Sequence, residues 1–268
     1  MVKLDGYSPD EFGLVFLKDH YHPATPEMRN RTMTIPGMPG EWDFGSEWGS
    51  RPFNLPFAVI EYDRYELQRK LRAFVAFLMD AYGKPREIRL SFDYEPDKYY
   101  SVKVAGKVDV ERAIHTGQFS LSLIAHKPMA NFIVPTDEIS WDSDIPFTAD
   151  ISLDSQYVYD ITAPTTINII NDGLVSVKPL ILISGTASSL TMQYNAQKFS
   201  FGSISAPALV PMEIDVERYT VRINGVPTLS ALTGPIEKMF LYPSDNAISV
   251  DGTDLNIKLT FRFNHQYI

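Results

Sequence analysis

The stretch Asp63-Arg64-Tyr65-Glu66-Leu67-Gln68-Arg69-Lys70-Leu71-Arg72-Ala73-Phe74-Val75-Ala76-Phe77-Leu78-Met79-Asp80-Ala81-Tyr82 decides how the chain is read. Apolar residues fall at Leu67, Leu71, Phe74, Val75, Leu78 and Tyr82. Those offsets trace one face of a helix with 3.6 residues per turn. Arg64, Gln68, Arg69, Arg72 and Asp80 fall on the other face. Asp63 is placed to cap the first turn, and Glu66 three residues on completes a capping-box pattern. Gly83 supplies a left-handed stop and Pro85 prevents resumption. The spacing predicts a helix over about residues 64–82, roughly 27 Å long at 1.5 Å per residue. No other segment carries this periodicity, so strands must pack around a single helix.

Outward from the helix the period changes to two. Upstream, residues 12–17 and 31–35 read as short strands and 55–62 as the strand leading into the helix. Downstream, Ile88, Leu90, Phe92 and Tyr94 alternate with polar residues, Glu95-Pro96-Asp97 reads as a turn, and Tyr100, Val102, Val104 and Val108 continue on one face with Gly106 as a bulge. After a turn at His115-Thr116-Gly117, the row Phe119, Leu121, Leu123, Ala125 makes a third strand. The three are expected to pair antiparallel beneath the helix.

Residues 129–146 read as a linker ending in a solvated acidic turn with Asp142, Asp144 and Asp150; a calcium loop would need a tighter ladder of oxygen ligands. Beyond about residue 147 short strands recur between turn signals, at 157–161, 166–170, 180–184, 190–194, 198–201, 212–215, 220–223, 239–241, 247–250 and 255–263. That rhythm indicates a sandwich or jelly roll. Asn224-Gly225 is the sharpest local signal, a hairpin turn with both central residues at positive φ. The expected division is residues 1–135, holding the helix, and residues 136–268, all strand.

With 268 residues, 44% hydrophobic and 21% charged, the chain can bury two separate cores. It contains no cysteine, which excludes disulfides, thiolate catalysis and cysteine-based zinc sites. The start lacks the apolar core of a signal peptide, and no stretch approaches the roughly 18 apolar residues of a membrane span. A net charge of −9 opposes general attraction to nucleic acid; the helix face around Arg64, Arg69, Lys70 and Arg72 is the mildly basic exception and reads as a solvated side.

Signatures of catalysis are missing: there is no nucleophile elbow, phosphate loop, His-Glu-x-x-His or dinucleotide fingerprint. His20 and His22 share a strand face, but no third ligand has supporting spacing, so a polar loop end is expected there rather than a metal. Neither enzymatic activity nor a cofactor is expected. The unusual stretch is 36–56, where Gly37, Gly40, Gly45 and Gly49 separate Trp42, Phe44, Trp48 and Phe53. Glycine and proline suggest a loop. Its aromatics either fold back over their own domain or contact another subunit or sugar rings. A sugar platform in the second half would have to use Trp141 or tyrosines such as Tyr159, Tyr194 and Tyr219.

The order of elements resembles the distal tail protein family of long-tailed phages infecting Gram-positive hosts, over nearly the whole chain. The residues that carry it in the first half are the helix 67–79, the aromatic strand 88–94, Tyr99-Tyr100, and 119–124 closing at Pro128. In the second half they are Asn171-Asp172-Gly173 before Pro179, Ile181, Ile183 and Gly185; Ile214-Asp215 before Val221 and Asn224-Gly225; and Phe240, Pro243 and Asn246 before Phe261-Arg262. Where the family often has Pro-Gly-x-Asn, this chain has Pro243-Ser244-Asp245-Asn246. The resemblance implies a mainly β fold: an N-terminal β-rich domain with one α-helix and a β-hairpin, then a galectin-like jelly-roll β-sandwich. It implies a homo-hexameric ring at the distal end of the tail in the virion, assembled in the host cytoplasm. The ring would join the tail tube protein to a tail-associated fibre or baseplate protein and let DNA pass without sequence-specific binding or membrane contact. The net acidity would suit such a channel, since an acidic wall repels phosphate. The rival reading is a carbohydrate-binding jelly roll that holds host cell-wall glycan.

Overall fold

The helix, α1, spans Arg64–Phe77 in a computed structural model that describes residues 1–268 apart from 113–115, 141, 142, 144, 147, 148 and 150. The turn expected at His115, and Trp141, Asp142, Asp144 and Asp150, therefore lie outside the described residues. Asp63 caps α1 by accepting from the Tyr65 backbone N–H at 2.8 Å. Glu66 turns instead to Arg69, at 2.6 Å. The helix stops five residues before the expected end because Asp80 competes for the backbone. Its carboxylate accepts from the N–H groups of Tyr82 (2.8 Å) and Lys84 (2.9 Å), closing a local turn. Gly83, at φ 74°, serves that turn. The buried face is Leu67, Leu71, Phe74 and Leu78, while Val75 and Tyr82 are exposed. Phe74 sits at its centre, its ring 5.5 Å from Phe12, 6.0 Å from Phe57 and 5.9 Å from Phe119.

The chain divides into two compact units, Met1–Asn131 with Ile268, and Phe132–Tyr267. In the first, β1 (Val2–Leu4), β2 (Val15–Phe16), β3 (Met28–Met33), β4 (Trp42–Trp48), β5 (Arg51–Ile60), β6 (Ile88–Phe92), β7 (Glu95–Val104), β8 (Val110–Arg112) and β9 (Thr116–Ala125) lead to β10 (Ala130–Phe132) at its end. One sheet runs in the order β1-β6-β7-β9-β5-β2, with β8 also on β9. The three strands β6, β7 and β9 pair antiparallel in sequence, and α1 lies over β5 and β9 through Phe57 and Phe119.

Several boundaries move for identifiable reasons. β5 pairs with β9 from Arg51 to Ile60, so it starts inside the segment read as a loop. Pro52 and Pro56 do not break it, because Asn54 and Pro56 direct their backbone groups toward Tyr21 and Leu17, away from β9. Pro52 and Pro56 share that side, where the ladder asks nothing of a backbone N–H. Residues 12–17 are not one strand: a 3-10 turn, Pro9–Phe12, precedes the short β2. The β6–β7 turn is Asp93-Tyr94, with Phe92 opposite Glu95, so Glu95-Pro96-Asp97 already belongs to the strand. Two residues of the segment read as a linker make specific contacts. Thr136 Oγ1 donates to the Phe261 carbonyl at 2.8 Å, and Arg262 pairs with Asp137 at 2.5 Å.

The second unit is a sandwich. Its strands are β11 (Val158–Ile161), β12 (Thr165–Asn171), β13 (Leu180–Ala187), β14 (Ser189–Tyr194), β15 (Gln197–Phe201), β16 (Ile204–Ala206), β17 (Met212–Asp215), β18 (Thr220–Ile223), β19 (Val226–Pro227), β20 (Leu232–Thr233), β21 (Ser244–Thr253), β22 (Asn256–Arg262) and β23 (Gln266–Tyr267). One sheet runs β11-β22-β13-β17-β18-β19, with β16 also on β13, and the other β12-β21-β14-β15-β20. Inward residues such as Ile183, Ile214 and Leu259 from the first meet Ile169, Met192, Phe199 and Val250 from the second in one core. The last long strand, β22, pairs with β11 and β13 inside this unit. Residues 239–241 are not a strand: a 3-10 turn, Ile236–Lys238, leads to a single bridge between Leu241 and Val177.

The residues that carried the resemblance here act as hydrogen-bond hubs. Buried Asn246 accepts from the Tyr242 N–H (2.8 Å) and the Tyr194 hydroxyl, and donates to the carbonyls of Ile169, Tyr242 and Ser244. Ser244 keeps a left-handed φ of 79°, a conformation that glycine adopts more readily. Buried Asn171 donates to the carbonyls of Val175 and Leu241 and accepts from Gly173 N–H. Asn224 and Gly225 take φ of 50° and 77°, as a two-residue hairpin demands.

Candidate functional site

β3 and β4 form a two-stranded ribbon, separate from the main sheet, in which every residue of both strands is exposed. The aromatic segment expected as a loop is thus a strand over Trp42–Trp48. Of residues 31–35, read as a strand, 31–33 belong to its partner, which begins at Met28 and ends at Met33. Glycine did not prevent pairing because Gly45, at φ 97°, sits in a bulge. Asn30 faces Ser46 but Thr32 faces Asp43, so β4 carries one extra residue.

The bulge decides which way the aromatics point. Trp42, Phe44 and Trp48 are spaced by even numbers, which in an unbroken strand puts them on one face. One inserted residue reverses the alternation. Trp48 opposes Met28, with Asn30 and Ser46 on the same face, whereas Trp42 opposes Met33 on the other face. Phe44, two residues from Trp42, shares its side. Trp42, Phe44 and Trp48 are 48%, 59% and 41% exposed. Phe53 is 1% exposed, packed on β5 with its ring 4.9 Å from Tyr100. The structure therefore groups three of the four aromatics on the ribbon and places the fourth in the core. Sequence reasoning missed Met28 and Met33, whose role depends on the register. Among the described residues, Ile35 and Met38 extend the apolar exposure toward the ribbon tip. A two-stranded ribbon is marginally stable alone, and contiguous exposed aromatic and methionine side chains mark surfaces that another molecule covers.

The ribbon's base is held firmly. Gly49 N–H donates to the Glu27 carbonyl at 2.7 Å, and Tyr21 and Asn54 exchange backbone bonds of 2.8 and 3.1 Å. Arg51, buried on β5, donates to the carbonyls of Pro23, Ala24 and Pro128 and to the Tyr100 hydroxyl. Its guanidinium also lies 5.0 Å from the Tyr100 ring centre. His22 stacks on Phe92 with ring centres 4.6 Å apart and meets the hydroxyls of Tyr94 (2.6 Å) and Tyr100 (3.2 Å). Burial, then the Arg51 charge, then His20, lowers its pKa to about 4. The imidazole is therefore neutral near pH 7, with one donor and one acceptor nitrogen for two hydroxyls. Burial raises the pKa of Tyr94, with Glu95 adding to it, so its hydroxyl keeps its proton. His20 stacks on Phe92 and Tyr94 as well. The histidine pair is an aromatic anchor, and among the described residues no group of three potential metal ligands assembles.

No sugar platform forms from the tyrosines singled out in the second unit. Tyr194 is buried, and the Tyr159 hydroxyl is held by the carbonyls of Gln156 and Asn168, each at 2.7 Å. Tyr219 is exposed but covered on one face by Lys178, 4.7 Å from its ring centre. A shallow groove of about 600 Å³, lined by residues including Asp160, Ser184, Thr186, Ser205 and Lys258, has no aromatic ring in its lining. The acidity is also unevenly placed. Residues 1–131 carry 17 Lys+Arg against 18 Asp+Glu, and residues 132–268 carry 7 against 15. Most of the net acidity therefore lies in residues 132–268.

Residues 11–125 match the family described as phage tail protein RIFT-related domain. No curated protein sequence matches significantly. Among solved structures, the Dit (gp 19.1) protein of phage SPP1, described as a paradigm of the hub adsorption apparatus in phages infecting Gram-positive bacteria, is 14% identical. It aligns over 100% of this chain and 98% of its own, with a TM-score of 0.71. The phage P2 baseplate in its activated conformation aligns at 9% identity with Ca, over 93% and 90% of the two chains (TM-score 0.36), and at 8% with Sr, over 94% and 90% (0.37).

Proposed function

We propose, from the match of residues 11–125 to the phage tail RIFT-related domain family and the likeness in fold to a phage hub protein, that this protein is the distal tail adaptor of a phage or prophage. The first unit would close into a ring, expected to be hexameric, joining tail tube to tail-tip or baseplate proteins and leaving a passage for DNA. The second unit would be the galectin-like sandwich around it. The role is structural and assigns no catalysis; the protein would work at the distal end of the tail after assembly in the host cytoplasm. The observation that carries self-assembly is the ribbon, whose aromatics lie uncovered on both faces while its base is fixed by Arg51 and His22. Head-to-tail contacts that close into a ring use two different surfaces per subunit, and buried aromatics are the usual hot spots of such contacts.

Light scattering over a concentration series tests this. The wild type is expected to form one closed species and Trp42→Ala/Trp48→Ala to shift toward monomer. A wild type that stays monomeric at high concentration counts against self-assembly of the isolated chain. An assembly that ignores the double substitution moves the ribbon to a contact with the tube or tip protein.

A further inference from the structure

The solvent face of α1 is a second exposed surface, and its chemistry differs from that of the ribbon. At helical spacing the outermost stripe is Tyr65, Arg69, Arg72 and Ala76, about 16 Å long at 1.5 Å per residue, with Arg64 on its flank. Tyr65 is 80% exposed and the Arg69 side chain 78%. Arg69 is paired with Glu66, but among the described residues no ion pair neutralises Arg64 or Arg72. Tyr62, also exposed, extends the face at the helix start. Tyrosine and arginine are the residue types that interfaces favour.

The complementary charge is in this same chain. Residues 132–268 hold more than twice as many acidic as basic residues. Asp245 and Asp251 lie on the solvent-facing side of β21, separated by the small residues Ala247 and Ser249. Six residues of strand place the two carboxylates roughly 20 Å apart, a span comparable to the helix stripe. Asp254 follows just beyond. Among the described residues none of the three aspartates is in an ion pair; Asp245 accepts from Asn168 Nδ2 at 2.7 Å and Asp254 from Ser188 Oγ at 2.6 Å.

We infer that the Tyr65–Arg69–Arg72 face of α1 docks on the acidic β21 face of a second copy of this chain. The inference rests on the self-assembly reading and names a contact that reading does not include. Each copy offers one basic and one acidic face, so the pairing is head-to-tail and propagates around a ring. Nucleic acid is the less suitable occupant. Two or three cations on one helix neutralise too few phosphates for firm binding at physiological salt, and the chain as a whole is acidic.

The test is charge exchange in the full chain. Arg69→Glu/Arg72→Glu and, separately, Asp245→Lys/Asp251→Lys should each weaken self-association about tenfold or more in sedimentation velocity, since each makes the two faces repel. The substitutions are on the surface, and unchanged circular dichroism and melting temperature establish that the fold is kept. Mixing the two variants should restore association, because each then supplies the face the other lacks. Arg69→Gln/Arg72→Gln should fall between wild type and the reversal. Association of Arg69→Glu/Arg72→Glu equal to wild type overturns the contact and leaves the ribbon-based assembly standing. Loss without rescue by the aspartate variant overturns the β21 assignment. Binding of a duplex DNA fragment that disappears in Arg69→Glu/Arg72→Glu overturns the second-copy assignment. A wild type monomeric at every concentration and salt overturns the contact together with the self-assembly reading.

Discussion

Arg51→Met removes a buried cation while keeping the length of the side chain. In the folded protein Arg51 is 1% exposed, and its Nε donates to the Pro23 carbonyl at 3.1 Å, with Nη1 at 3.1 Å from the Tyr100 hydroxyl and 3.4 Å from the Pro128 carbonyl. Nη2 donates to the Ala24 carbonyl. Methionine leaves three carbonyls without this donor, each costing about 1–3 kcal/mol where water cannot reach. Against that stands relief of the desolvation of a buried charge, which is several kcal/mol. The net expectation is a loss of about 2–4 kcal/mol from the first unit. Because the two units need not unfold together, the loss is best read by hydrogen exchange of β5 amides along a urea series. Limited proteolysis between residues 20 and 50 then reports release of the ribbon base. Arg51→Lys keeps the charge but loses the planar fork, and should fall between the two. A loss below about 1 kcal/mol for Arg51→Met, which is what an ordinary surface change gives, with unchanged cleavage, refutes the claim that the guanidinium fixes the ribbon.

Phe74→Ala should cost roughly 3–5 kcal/mol, since its ring is wholly buried among Phe12, Phe57 and Phe119; a denaturation midpoint close to wild type would show that α1 packs otherwise. His22 has a folded pKa of about 4 against 6.5 when free. The unfolded chain therefore binds more protons in that window, and this contribution to stability falls as pH drops from 6.5 and levels off below 4. The groups around it are Arg51, His20, Tyr94, Tyr100 and, through Tyr94, Glu95. His22→Gln should flatten the dependence of first-unit stability on pH between 6.5 and 4, and an unchanged slope would assign that dependence to other groups. Gly185→Ala should destabilise the second unit severely, since a Cβ there would lie 2.1 Å from the Asn256 carbonyl oxygen at a φ of 110°; normal expression with a wild-type melting temperature would contradict this packing.

The sequence by itself determined whatever depends on local period and turn chemistry. The row Leu67, Leu71, Phe74, Val75, Leu78 and Tyr82 marked the helix, and all but Val75 and Tyr82 are buried, because burial must repeat with the helical turn. The alternation from Ile88 to Ala125 marked strands of one antiparallel sheet, and Asn224-Gly225 marked a hairpin of the second unit because few residues accept positive φ. It also grouped Trp42, Phe44, Trp48 and Phe53 as aromatics on a segment without a core of its own. Only the tertiary structure decided the rest. That residues 42–48 form a strand depends on pairing across a connection with the preceding strand, β3, and that Trp42 and Trp48 point opposite ways depends on one bulge at Gly45. Phe53, alike in composition to its neighbours, is buried because β5 begins at Arg51 and pairs with β9. Arg51 reads as a surface cation until three carbonyls distant in sequence are brought around it. Local signals report what a residue can do with its near neighbours; register, burial and cross-strand partners arise from contacts between segments far apart in the chain, which no short window contains.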